Sequence, residues 1–265
     1  MGTVLERNHV VVTGHGPPLI FAHGFGCDQT VWDRLAPAFE ADHTVVRFDY
    51  VGAGKSDAAA YTTERYRTAD GYVLDLLEVC HALGLRRPTL VGHSVSGMVG
   101  ALATIAEPDL FDRLVMLAPS PRFVDDPPYR GGFQLADIEG LLQLLDANFL
   151  GWSAAVSRMA LPGTELAGEL EQGFSAIDPS ILREFARVAF LSDHRGALPR
   201  VPVPCLVVQC SRDDLVPVDV GEYVVDRLPH GRWCLLDIPG HMPHMTHPDE
   251  VRTAIRSFLS EPDPR

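Results

Sequence analysis

Short, almost wholly apolar runs alternate along this chain with stretches of helical period, and this alternation limits its possible folds more than any other feature. Such apolar runs are typical of strands buried on both faces of a parallel sheet. Alternation with amphipathic helices favours a doubly wound α/β sheet. The strands are predicted at 18–22, 44–49, 88–92, 114–118, 204–209 and 233–237, and the helices at 31–39, 65–83, 96–106, 220–227 and 249–259.

The alternation stops between Pro119 and Pro199. Helix-like runs at 137–149, 152–160, 165–174 and 179–190 follow one another there with no strand between them. About four consecutive helices inserted between two strands are expected to form a lid over the carboxyl edge of the sheet. We therefore expect an α/β core made of residues 1–119 and 199–265, with a helical lid at 120–198.

Composition narrows the classes of function. The 265 residues suit one large domain, and the net charge of −13 would repel phosphate backbones and anionic membranes. We therefore expect neither nucleic acid nor a membrane as a partner. No secretory signal is visible, and the five cysteines form no C-x-x-C pair, which favours reduced thiols in a cytoplasmic protein.

The segment VGHSVSG, residues 91–97, joins a predicted strand to a predicted helix. It matches the nucleophile elbow G-x-S-x-G, except that Ser96 stands in place of the second glycine. In that strand–turn–helix context the turn lifts a serine hydroxyl above the sheet. Ser94 is therefore the candidate nucleophile, and a purely structural turn serine is the alternative.

A nucleophilic serine needs a base, and the base needs a carboxylate to orient it. In α/β-hydrolases the chain order is serine, acid, histidine. Asp213 and Asp214 follow the predicted strand at 204–209, and the continuation DLVP favours Asp213 over its neighbour. His241 directly follows Gly240 after the last predicted strand and is the candidate base.

An oxyanion hole is predicted from two backbone amides. The segment FAHGFG, residues 21–26, follows a predicted strand and occupies the place of the HGGG-type loop. Its glycines let the Phe25 N–H turn towards the serine, where the Val95 N–H would be the second donor. The alternative is a glycine turn with a packed Phe25 ring, and both can hold at once.

Two patterns that suggest a metal or a nucleotide are incomplete. His241, His244 and His247 invite a zinc site, but prolines interrupt the segment and it lacks the H-E-x-x-H pattern. The segment GAGKS, residues 52–56, lacks the first glycine of a phosphate loop. We therefore expect no metal and no cofactor.

Several longer segments resemble those of a known family. The segments HGFGCDQTVWDRLAPAF, GHSVSGMVG, NFLGW, CSRDDLVP and GHMPHM resemble α/β-hydrolases of the RsbQ type, bacterial stress-signalling hydrolases related to plant strigolactone and karrikin receptors. The matches run from about Phe21 to Met245, and a serine at position 96 is characteristic of this branch. The resemblance implies the α/β-hydrolase fold, a V-shaped lid of four helices and the triad Ser94, Asp213 and His241.

The resemblance also implies an apolar pocket beneath the lid. Its lining is expected to comprise Phe25, His93, Val95, Phe123, Phe133, Trp152, Phe174 and Phe190. Taken without the resemblance, these aromatic residues would more often belong to a core than to a pocket.

Two functions follow as hypotheses. The first is a cofactor-independent serine hydrolase of a small apolar ester or lactone, acting in stress signalling. The second is a regulatory module that senses or processes a small molecule and engages a PAS-domain phosphatase, since members of this branch include such regulators, hormone receptors and esterases. A non-catalytic binding protein on the same scaffold is a third and weaker alternative, against which the complete triad argues.

Overall fold

The computed structural model describes residues 2–262, and a sheet of seven strands forms its centre. The strands pair in the order β1-β3-β2-β4-β5-β6-β7, and only β1 runs antiparallel to its neighbour. The prediction of a mostly parallel α/β sheet is confirmed. The strands are β1 Val11–Gly14, β2 Pro18–Ala22, β3 Thr44–Arg47, β4 Thr89–His93, β5 Arg113–Leu117, β6 Cys205–Arg212 and β7 Gly231–Pro239.

Successive residues of the central strands face opposite sides of the sheet, because the side-chain period of a strand is two. Leu19 and Phe21 of β2 join one apolar cluster, while Ile20 and Ala22 join the other. The β4 and β5 strands are buried throughout, so helices must cover both faces.

The helices provide this cover. Helices at 69–82 and 95–106 contribute apolar side chains to one cluster, and a helix at 248–259 contributes to the other. No helix within residues 2–262 is long and apolar enough to cross a membrane. The helices of the core are α1 Val4–Arg7, α2 Thr63–Tyr66, α3 Ala69–Ala82, α4 Val95–Ala106, α9 Val218–Arg227, α10 Pro243–Thr246 and α11 Pro248–Leu259.

Four helices lie between β5 and β6, in the segment where the sequence pattern predicts four. They are α5 Leu135–Ala147, α6 Phe149–Ala160, α7 Ala167–Ala176 and α8 Pro179–Leu191. The Asn148 side chain accepts a hydrogen bond from the Gly151 N–H and so caps α6, while Asp178 caps α8 in front of Pro179. We call these four helices the helical cap.

The predicted helix at 31–39 is wrong. The structure has two 3-10 helices instead, Gln29–Trp32 and Ala36–Phe39. Pro37 has no N–H to donate to the preceding turn, so a continuous α-helix through it would lose a hydrogen bond and meet a steric clash. Asp28 caps the first of the two 3-10 helices by accepting from the Thr30 N–H.

One further helix and the first strand also differ from the prediction. The predicted helix at 65–83 is divided into α2 and α3, because the Thr68 hydroxyl accepts from the Asp70 N–H and begins a new helix there. The strand β1 was not predicted. It has only four residues, VVTG, at the antiparallel edge of the sheet and is nowhere fully buried, so its apolar signal is short.

Candidate active site

Ser94 lies at the junction between β4 and α4, in a turn that few residues can adopt. Its φ of 55° and ψ of −119° place a non-glycine residue in a strained region. The turn is very tight, since a Cβ on Gly92 would lie 2.3 Å from the Ser96 carbonyl oxygen. The strand–turn–helix geometry that the elbow motif predicts is therefore present.

His241 joins Ser94 to a carboxylate. Its Nδ1 lies 2.8 Å from Oδ2 of Asp213, and its Nε2 lies 2.9 Å from the Ser94 hydroxyl oxygen. Because an ionised carboxylate only accepts, Nδ1 carries the proton and donates it to Asp213, and Nε2 accepts from Ser94. All three side chains are buried. The arrangement is that of a nucleophile, a base and the group that orients the base.

The structure brings Asp213 to His241, whereas Asp214 is exposed. The Asp213 carboxylate also accepts from the Leu215 and Val216 amides at 2.9 and 3.0 Å. These bonds fix one carboxylate oxygen and leave the other for the imidazole. The side chain of Gln209 lies 3.4 Å from the oxygen that faces His241, a contact that sequence reasoning did not predict.

The backbone of His241 is held from two sides. Its N–H donates to the Ala160 carbonyl at 2.7 Å, and its carbonyl accepts from Nε2 of His93 at 3.0 Å. Ala160 is the last residue of α6, where helical carbonyls lack intrahelical partners. The helical cap and the elbow therefore both position the candidate base.

The Phe25 and Val95 amides are the predicted donors of the oxyanion hole. Val95 is the first residue of α4, so its N–H has no acceptor within the helix. Within residues 2–262 the Phe25 N–H also donates to no other group. Gly26 follows with a φ of 71° and lies against the Phe174 ring, where a Cβ would come within 1.8 Å of a ring carbon. Neither predicted donor has an acceptor within the described residues, and their joint role as an oxyanion hole stays a prediction.

A small, partly open cavity of about 40 Å³ adjoins Ser94 and His241. Its walls are apolar apart from these two side chains and His93, and none of its lining residues within the described chain is Asp, Glu, Lys or Arg. Five of the eight predicted lining residues are among its walls. The lining comprises Phe25, Cys27, His93, Ser94, Phe123, Val156, Ala160, Leu170, Phe174, Ala189, Phe190, Leu215, His241 and Met242.

Three predicted lining residues do not line this cavity. Trp152 is fully buried behind it, with its ring centroid 6.1 Å from that of Phe25 and 4.8 Å from that of Phe174. Phe133 packs behind Phe123, and the centroids of their rings are 6.4 Å apart. Val95 packs with the apolar cluster that includes α3 and α4. Trp152 and Phe133 support the wall from outside it.

Several lining residues were not predicted, although local patterns could have indicated them. Leu170 precedes Phe174 by four residues on α7, and residues so spaced share a helix face. Val156 and Ala160 have the same spacing on α6. The remaining ones lie within two positions of predicted site residues along the chain: Cys27, Ala189, Leu215 and Met242.

Next to the triad, two further histidines are buried as neutral rings. The His93 ring centroid lies 5.0 Å from that of His241 and 4.5 Å from that of His244. Burial, reinforced by the charge that His241 can carry, lowers the pKa of His244 from 6.5 to about 3. Burial and the neighbouring histidines also lower the pKa of His93. No group of three potential metal ligands is present within residues 2–262.

Because these two histidines are buried as neutral rings, we expect acid to destabilise the folded protein. The unfolded chain binds a proton on each histidine below about pH 6.5, whereas the folded chain holds His244 neutral down to about pH 3. The free energy of unfolding should therefore fall as the pH is lowered from 7 to 5, by up to about 1.4 kcal/mol per pH unit for each such group. Urea unfolding at several pH values measures this slope.

Phenylalanine at position 244 keeps a ring and removes the titration. His244→Phe should show a smaller loss of stability between pH 7 and 5 than the wild type. His15→Phe changes an exposed histidine and should keep the wild-type slope. Equal slopes for His244→Phe and the wild type would show that His244 does not contribute.

Known proteins resemble this chain along most of its length. The model of the alpha/beta hydrolase family matches residues 19–254. The chain is 36% identical over 260 residues to the strigolactone esterase D14 of Arabidopsis thaliana, with 97% of each chain covered. It is 37% identical over 257 residues to the karrikin insensitive 2 receptor CA of Petunia hybrida, with 95% of each covered.

Solved structures extend this likeness to three dimensions. A hydrolase from Oleispira antarctica has a TM-score of 0.96 at 36% identity, covering 98% of this chain and 97% of the other. The expected relation to the plant receptors is confirmed, and so are the predicted fold and the prediction of an enzyme. The chain belongs to the alpha/beta hydrolase family.

Proposed function

We propose that this protein is a serine hydrolase that cleaves a small apolar ester or lactone. The observation that carries the proposal is the position of His241, within hydrogen-bonding distance of both Ser94 and Asp213 at the wall of an apolar cavity. Relatives named as esterases, among them the strigolactone esterase of Arabidopsis thaliana, support the same reaction class.

The first half of the reaction acylates Ser94. Its oxygen attacks the ester carbonyl while Nε2 of His241 takes the hydroxyl proton, and Asp213 stabilises the imidazolium that forms. The carbonyl oxygen becomes an oxyanion that the Phe25 and Val95 amides bind. His241 then returns its proton to the leaving alkoxide as the carbon–oxygen bond breaks.

The second half releases the acyl group. A water molecule gives its proton to His241 and attacks the ester carbon, and collapse of the second oxyanion returns the proton to Ser94. In a lactone the alcohol and the acid stay in one molecule, so ring opening gives a hydroxy acid. Every proton in this cycle passes through His241, and no cofactor is needed.

The cavity supports the proposed substrate class. The cavity beside Ser94 is small, about 40 Å³, and its walls are mostly apolar, which favours a short acyl group. The walls offer no cation to pair with a carboxylate within the described chain. Short uncharged esters and small lactones therefore fit the site better than long or anionic ones.

We expect kcat/KM for p-nitrophenyl esters to fall from acetate through butanoate to octanoate, because longer chains must displace packed side chains. The decrease should be graded, since one methylene in an apolar pocket is worth about 1–3 kcal/mol. Leu170→Ala enlarges the wall and should shift the preference towards longer chains. Steady-state kinetics on the ester series measures both effects.

Leu182→Ala is the matched control. Leu182 is fully buried in α8 but does not line the cavity, so its truncation should lower stability and leave the chain-length preference unchanged. A wild-type preference for octanoate, or the same shift in both variants, would contradict the proposed pocket.

A second candidate function is signalling, because several relatives are receptors by name. In this proposal the site senses or processes a small molecule, and the protein engages a partner such as a PAS-domain phosphatase in a stress response. The ester assay separates the two candidates. Sustained turnover after the first acylation supports an esterase, whereas a burst that leaves a persistent Ser94 adduct supports a sensor.

We place the protein in the cytoplasm. The support for this is chemical, since all five cysteines are free and four of them are buried as thiols. A reducing compartment keeps such thiols from oxidation.

A further inference from the structure

The elbow contains a second serine that the proposed reaction does not use. Ser96 is fully buried in the first turn of α4, at the position where the motif has glycine. Its hydroxyl donates to the His23 carbonyl at 2.5 Å and lies 2.9 Å from the Tyr50 hydroxyl. A glycine at this position could make neither contact.

The direction of these bonds follows from the number of protons. A serine hydroxyl has one proton, and the His23 carbonyl can only accept, so Ser96 donates to that carbonyl. Tyr50 must then donate its own proton to the Ser96 oxygen. Burial raises the pKa of Tyr50, so its phenol remains protonated and keeps this donor. The chain of donors runs from Tyr50 through Ser96 to the His23 carbonyl.

The His23 side chain makes two further hydrogen bonds. Its Nε2 accepts from the Tyr50 N–H at 3.2 Å, so its Nδ1 carries the proton and donates to the Gly24 carbonyl at 2.9 Å. The Cys27 N–H donates to the same carbonyl at 3.3 Å. Burial lowers the pKa of His23, which keeps the ring in this neutral form.

The Gly24 carbonyl and the Phe25 N–H belong to one planar trans peptide, and they point in opposite directions. Donors that fix the carbonyl therefore also fix the direction of the N–H. The Phe25 N–H is the loop donor of the proposed oxyanion hole. Rotation of this peptide would turn the donor away from the reacting carbonyl.

We propose that Ser96 is a positioning residue for the oxyanion hole. Its hydroxyl ties the helix that begins beside Ser94 to the loop that carries the Phe25 amide. The nucleophile and the loop donor are thereby held in one geometry, with Tyr50 and His23 completing the connection. The inference rests on the proposed serine hydrolase and adds a function for the serine that replaces the motif glycine.

Ser96→Ala removes the hydroxyl at little change in volume and leaves the His23 carbonyl without its buried donor. Loss of a whole oxyanion donor costs about 10²–10³ in kcat, and a misdirected donor should cost less, so we expect kcat to fall about tenfold with KM nearly unchanged. A trifluoromethyl ketone, which forms a tetrahedral adduct with Ser94, should lose affinity by the same factor.

Thr104→Val is the matched control, because Thr104 is a fully buried hydroxyl on the same helix that donates only to Ala101. It should lower stability and leave kcat and ketone affinity at wild-type values. Tyr50→Phe removes the donor to Ser96 and should lower kcat in the same direction by a smaller factor. It replaces Ser96→Ala in all assays if that variant does not fold.

Amide hydrogen exchange gives a readout that needs no turnover. In Ser96→Ala the Cys27 amide, which donates to the Gly24 carbonyl, should exchange faster than in the wild type, and in Thr104→Val it should not. Wild-type kcat, ketone affinity and loop exchange in a folded Ser96→Ala would overturn the inference. If the wild type cleaves no ester, the proposed function fails, and the exchange rates alone then support or overturn the connection.

Discussion

Ser94→Ala is expected to lower kcat for p-nitrophenyl acetate by at least about 10³-fold. The variant keeps the Phe25 and Val95 amides and the cavity, but it has no oxygen to form the acyl intermediate. The residual rate should then reflect substrate binding and oxyanion stabilisation alone, as in other triads from which the nucleophile is removed.

The matched control for this variant is Ser153→Ala. Ser153 is a buried serine of α6 whose hydroxyl donates to the Leu150 carbonyl within its own helix, and it does not line the cavity. This change should leave kcat near the wild-type value. Substantial turnover by purified Ser94→Ala would mean that another residue performs the attack.

Asp213→Asn should lower kcat by up to about 10⁴-fold. The asparagine NH₂ can donate a hydrogen bond to Nδ1 of His241, which favours the tautomer whose Nε2 carries the proton. That tautomer cannot take the proton of Ser94. The imidazolium that forms during acylation would also lose the charge that stabilises it. Stopped-flow and steady-state rates with the acetate ester measure the loss.

Asp214→Asn is the control, since the two carboxylates are adjacent in the chain and Asp214 is exposed. Its kcat should stay within a few fold of the wild type. If Asp214→Asn is the more damaging of the two changes, the assignment of the orienting carboxylate is wrong.

The alternation of buried strands with helices and the elbow could be predicted because each depends on local pattern. Buried parallel strands such as β4 stand out in the sequence as short apolar runs. The elbow has no room for a side chain at position 92, so its glycine is part of a motif that the sequence shows. The break in alternation after Pro119 likewise marks the four helices before β6. These signals do not depend on which segments meet in space.

The pocket could be predicted only in part, because its walls come from separate segments. Trp152 and Phe174 are large aromatic residues on neighbouring helices of the cap, and the sequence predicts both as lining residues. Only Phe174 lines the cavity. Which ring is in front depends on how α6 and α7 pack. The hydrogen bonds from Tyr50 through Ser96 to His23 join three separate segments, so the sequence could not predict them either.

The choice between Asp213 and Asp214 shows where a local pattern becomes insufficient. The sequence favours Asp213 only through the DLVP continuation. In the structure the Leu215 and Val216 amides hold the Asp213 carboxylate, while the neighbouring side chain points to solvent. Backbone hydrogen bonds in this turn select one of two adjacent carboxylates, and the sequence does not show such bonds.

The most direct test of the central claim is covalent labelling of the wild-type protein with a fluorophosphonate, followed by mass spectrometry of the intact chain and of its peptides. The proposed site predicts one label per chain, located on Ser94, with Ser94→Ala remaining unlabelled. A label on Ser96 or elsewhere, or no label under conditions that fully modify a known serine hydrolase, would contradict Ser94 as the activated nucleophile.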